Sequence, residues 1–210
     1  MPSHEPPKSP LSAGAIILLF TDPKRFFSQR AYLTHTKSLV LLCVLLGIEN
    51  SSEFTQVISS DALTAKNALT VLKDTTSWME AWGIMLTTAI FIGPFSLVSS
   101  GIWFIVRGFV AGFNPLKNLK ACLGLLLWAK AILLLPILSF RILQTLVYSD
   151  PIVAFLDLQP GLYKLSIYAL EFLSIFALYK GVQTVFRTTT SRVKFFFFYI
   201  PSLMWLVGML

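Results

Sequence analysis

Between Ala81 and Val106 the chain runs for 26 residues without a charged side chain. As a helix rising about 1.5 Å per residue, that run is about 39 Å long, and a hydrocarbon core is about 30 Å thick. Two further runs are long and apolar enough to cross a bilayer: Ala121 to Phe140, and Leu162 to Tyr179. Of 210 residues 55% are hydrophobic and only 13% charged, where a soluble domain carries roughly a quarter charged. So few charges cannot coat a water-exposed globule, which excludes a soluble enzyme or a nucleic-acid domain. The fold class expected is all-α, a polytopic membrane protein.

Two marginal runs raise the expected crossings to five: 31–48, where Lys37 snorkels to the headgroups, 81–106, 121–140, 162–179 and 193–210. Basic residues decide whether the first one crosses. With five crossings, twelve fall on one side (Lys8, Lys24, Arg25, Arg30, Lys37, Arg107, Lys117, Lys120, Lys180, Arg187, Arg192 and Lys194) and four on the other (Lys66, Lys73, Arg141 and Lys164). With four the bias vanishes. The positive-inside rule then puts the amino terminus in the cytoplasm and the carboxyl terminus outside, as in a bacterial inner membrane, with a eukaryotic endomembrane as the alternative. The same scatter of cations between apolar runs argues against a nucleic-acid partner despite the net charge of +7.

Around these crossings the sequence predicts a disordered Pro-rich tail over 1–10 and a cytoplasmic segment over 11–30. In that segment Lys24, Arg25, Phe26 and Phe27 either lie in the membrane interface, aromatics dipped and cations on phosphates, or pack on the bundle. An outer amphipathic loop is expected over 49–77, with Asp61 as the N-cap of its helix.

Pro94 sits at the centre of the second crossing and predicts a kink. Ala89, Gly93, Ser96 and Ser100 share one face, as a packing stripe or one wall of a polar path. Pro136 and Pro201 interrupt the third and fifth crossings. Lys130 and Glu171 are ionisable groups near mid-membrane, and antiparallel crossings bring them to one depth. Such a pair serves helix registration, or a relay or headgroup site. A cytoplasmic contact surface for anionic lipid headgroups or other membrane proteins would comprise Lys24, Arg25, Phe26, Phe27, Arg107, Lys117, Lys120, Arg187, Arg192 and Lys194. His4 and His35 join no metal cluster or triad, and no P-loop or HExxH occurs. No catalytic residue, metal or cofactor is expected.

Several stretches together resemble the bacterial branch of the Yip domain family, Rab-interacting-type integral membrane proteins. They are Thr21 to Phe27 with Pro23, Phe26 and Phe27; Gly108 and Gly112 before Lys117; Ala131 to Leu138 with Pro136; Leu173 to Lys180 with Gly181; Thr188 to Arg192; and Pro201. The resemblance covers residues 20 to 210. It implies a non-enzymatic membrane protein that binds partners or shapes membranes. The Asp-Leu-Tyr-Gly-Pro signature of eukaryotic members is missing, and with it the expectation of Rab GTPase binding. The function expected is that of an adaptor, assembly factor or accessory subunit of a membrane complex, or one in membrane organisation. The alternative is a small transporter or channel built on the Pro94 kink and the Lys130/Glu171 pair.

Overall fold

A computed structural model describes residues 9–64, 78–148 and 161–209. Among these residues every regular element is helical. Short α1 (Ala13–Thr21), α2 (Pro23–Ser28) and α3 (Arg30–Thr34) lead into long α4 (Thr36–Thr64) and α5 (Trp78–Ala111). A 3-10 turn, Pro115–Asn118, precedes α6 (Leu119–Val147); α7 (Gly161–Phe186) follows, then α8 (Ser191–Lys194), a π turn over Phe195–Tyr199 and α9 (Ile200–Met209). Three stretches, Met85–Ala111, Pro115–Val147 and Leu165–Phe186, are long and apolar enough to cross a membrane. They contain most of the expected runs 81–106, 121–140 and 162–179. On α5, Phe91, Phe95, Ile102 and Trp103 are all more than half exposed, an apolar surface suited to lipid rather than water.

Local chemistry sets the helix ends. The Asp22 carboxylate accepts from the Arg25 N–H at 3.1 Å, and Pro23 fills the first helical position of α2, where a missing donor costs nothing. Gly112, at φ 91°, closes α5: its N–H donates to the Phe109 carbonyl, and that of Phe113 reaches the Gly108 carbonyl. These two bonds make a Schellman motif, and a left-handed residue there favours glycine. The turn gives Gly112 its role.

Several boundaries differ from those expected. The segment 31–48 is divided at His35, whose Nδ1 accepts from the Ser38 N–H at 3.3 Å and so caps α4 at Thr36. Beyond Ile48, α4 continues to Thr64; residues 49–64 form no loop, and Asp61 lies inside the helix instead of capping one. The rest of the expected outer loop, residues 65–77, lies outside the described residues, as do residues 1–8 of the tail. The run 193–210 is divided by the π turn. Pro201 explains this break, because its ring clashes with the carbonyl four residues back and it offers no N–H there. The chain widens instead, and the Ile200 N–H reaches the Phe195 carbonyl five residues back.

The chain divides into two compact units, residues 1–42, 97–133 and 168–210, and residues 43–96 and 134–167. In the second, α4 and α5 meet backbone to backbone. A β-carbon at Gly47 would collide with the Ala89 carbonyl, and one at Gly93 with the Cys43 carbonyl. Asn50 Nδ2 donates to Ser96 Oγ at 2.9 Å in the same seam. Cys43, Gly47 and Asn50 thus mate with Ala89, Gly93 and Ser96, each set at helical spacing. The small-residue stripe is a packing face; Ser100, farther along, belongs to the first unit. Ile48, Met85, Ala89 and Leu138 form the buried cluster beside the seam.

Candidate functional site: a charged cavity between helices

The first unit is built on the amino-terminal half of α6. Leu125, Trp128, Ala131 and Ile132 are fully or almost fully buried. Trp128 Nε1 donates to the Tyr32 carbonyl at 3.1 Å, tying α3 to α6. Phe26 lies 5.1 Å from both the Tyr32 and Trp128 rings and 5.3 Å from Phe27, centroid to centroid. Gly124 lets the Leu33 carbonyl close on α6, and Gly181 leaves room for Leu125 and Phe27.

This arrangement corrects one expectation. Phe26 and Phe27 are 0% and 1% exposed, so they are core residues and not an interfacial or partner contact. Burying an aromatic side chain among other rings stabilises more than leaving it at a headgroup boundary, since it adds edge-to-face contacts to the area removed from water. Lys24 and Arg25 beside them remain exposed.

Along the same buried stretch of α6, Lys130 is the one exposed residue between Ala121 and Leu134. Its exposure has a local cause: it lines a cavity of about 590 Å³. Arg107 of α5 and Glu171 of α7 line the same cavity. The sequence-predicted pair is thus gathered at one site. Arg107 joins it, although it was expected on the cytoplasmic contact surface.

Specific bonds hold the walls. Ser174 Oγ donates to the Ala129 carbonyl at 2.8 Å, fixing α7 on α6 one residue from Lys130. Trp205 Nε1 donates to the Tyr168 carbonyl at 3.1 Å, and its ring lies 5.2 Å from Phe172, fixing α9 on α7. The π turn delivers Phe197 to the wall, and Pro201, Met204 and Trp205 follow it along α9. Phe197 also packs 5.2 Å from Phe104 and 5.7 Å from Phe113, joining the turn to α5. Of the other helix-breaking prolines, Pro94 lies inside α5 and Pro136 inside α6, and both helices continue through them.

Lys117, Lys120, Arg187, Arg192 and Lys194 are exposed at the α5–α6 and α7–α8 junctions. The junctions share one end of the unit, where Phe113 stacks on Phe186 at 4.5 Å. Lys120 Nζ donates to Thr36 Oγ1 at 3.0 Å there. Arg187 ends α7 at φ 50°, a left-handed conformation that closes a helix.

Two charges escaped sequence reasoning. Glu49 and Arg141, which the sequence assigns to the outer side, are buried in the second unit at 7% and 8% exposure, and Arg141 Nη1 donates to Gln144 Oε1 at 2.9 Å. Each adjoins an apolar run, and that position alone does not distinguish a snorkelling charge from an enclosed one. Among the described residues no group of His, Cys, Asp and Glu is arranged to hold a metal ion.

Comparison with known proteins finds no matching family model, no curated relative and no solved structure of similar fold.

Proposed function

We propose that this chain is a non-enzymatic, multi-pass membrane protein that acts through lipid and protein contacts, as an adaptor, assembly factor or accessory subunit, or in membrane organisation. The observation that carries this is the cationic end of the first unit. Lys117 and Lys120, and Arg187, Arg192 and Lys194 are exposed there, and Lys24 and Arg25 on α2 of the same unit are exposed as well. Such a rim suits anionic headgroups or an acidic partner surface and fits a cytoplasmic face in a bacterial inner membrane. Five crossings, with α4 and the Ser191 to Leu210 segment added to the three long apolar helices, complete this topology. The resemblance to the Yip domain family points to the same class of activity.

A small transporter or channel is the second reading, favoured by the shared cavity of Lys130 and Glu171. The α4–α5 seam weighs against it, because the small residues near Pro94 are taken up in packing. Thr87 and Thr88 hydroxyls donate to the Gly83 and Met85 carbonyls of their own helix. Purification in mild detergent, with identification of what accompanies the chain, separates the two. Stable co-purification with a larger membrane complex and no flux in liposomes is the expected result; flux by the protein alone overturns it.

A further inference from the structure

Among the described residues the cavity wall carries two cations, Arg107 and Lys130, and one carboxylate, Glu171, a formal surplus of one positive charge. Its remaining lining is largely apolar, and it does not stop at the cavity mouth. Met204 belongs to the wall and is 63% exposed, and Leu203 and Val207 beside it on α9 are 62% and 64% exposed. A charged recess that grades into lipid-facing apolar surface fits an amphiphile, with the head inside and the chains along α9.

We propose that this cavity binds the headgroup of an anionic phospholipid that has a phosphodiester and no amine, the phosphatidylglycerol type. The charge count selects it. A phosphodiester monoanion with an uncharged alcohol head cancels the single surplus cation, whereas a zwitterionic head leaves the surplus in place. Arg107 offers a planar donor fork to phosphate oxygens and Lys130 a compact point charge. The inference rests on the chain spanning a membrane, not on its acting as an adaptor.

The test is native mass spectrometry of the full-length protein in mild detergent, with phosphatidylglycerol, phosphatidylcholine, phosphatidic acid or inorganic phosphate added. Phosphatidylglycerol is retained about tenfold or more above phosphatidylcholine, and Lys130→Gln or Arg107→Gln abolishes that preference. Lys37→Gln removes a charge outside the cavity and leaves the preference intact. Glu171→Gln raises the surplus by one and shifts the preference toward phosphatidic acid, a phosphomonoester. Should the Lys130 variant fail to elute as a folded monodisperse species, the Arg107 variant carries the test. Equal retention of the two lipids overturns the proposal, as does undiminished preference in a folded cavity variant. Displacement of the lipid by inorganic phosphate assigns the site to free phosphate and overturns it too. Lipid retention without any co-purifying membrane protein leaves this site standing and removes the adaptor reading.

Discussion

Gly47 and Ala89 touch through their backbones, with no space between them for even a methyl group. Packing at that range, without a side chain to adjust, fixes the register of α4 on α5 through Gly93 and Ser96 as well. Gly47→Ala is therefore expected to lower stability by about 1 to 3 kcal/mol, the usual cost of overpacking. Thermal unfolding in detergent, followed by helical circular dichroism, reads it; an unchanged midpoint contradicts the seam.

Trp128 anchors the amino-terminal helices. Trp128→Ala removes a fully buried ring and its bond to the Tyr32 carbonyl, at about 3 to 5 kcal/mol. Limited proteolysis is expected to cut α2 and α3 faster in the variant than in the parent. Equal rates would show that the segment holds without α6.

Phe26 and Lys24 lie two positions apart but act on different links of the chain from sequence to function. Phe26→Ser puts a hydroxyl in the core and is expected to destabilise the fold. Replacing exposed Lys24 and Arg25 with Gln leaves the melting curve within about 0.5 kcal/mol and weakens the retention of anionic lipid by the protein in detergent. Lipid retention that is indifferent to this charge change counts against a lipid-contacting rim.

The rim also predicts labelling. Single cysteines replacing Arg25, Lys120 or Arg187, in a chain whose Cys43 and Cys122 are alanine, are expected to react with an impermeant maleimide from the same side of the membrane. Reaction of one of the three from the opposite side breaks the proposed topology.

The long helices were legible because lipid imposes length and apolarity directly, and Ala81 to Val106 meets both. Their ends were not, since a helix continues past the last apolar residue wherever nothing stops it, as α4 does through Glu49 and Asn50. That Lys130 and Glu171 line one cavity followed from depth alone. Arg107 did not, because a cation near a helix end has the same sequence context whether it faces headgroups or a cavity. Phe26 and Phe27 were ambiguous for a similar reason: a basic pair followed by an aromatic pair suits both an interface and a core. Gly124 and Gly181 held the missing signal, for each leaves room on a helix for a neighbour, and those neighbours are Leu33, Leu125 and Phe27.

The π turn before Pro201 amounts to one residue more than an α-helix would use over the same rise. Each α-helical residue advances the azimuth by about 100°, so the same run wound as a regular α-helix would turn α9 by that amount, and the widened turn absorbs it. With it, Pro201, Met204 and Trp205 line the cavity. A deletion of one residue between Phe195 and Tyr199 that restores regular winding would leave all three facing Lys130 and Glu171, whereas regular winding of the undeleted run would turn them away by about 100°. The direction in which the last helix presents itself is thus a winding property of the phenylalanine run, set by whether its extra residue is taken up in a widened turn.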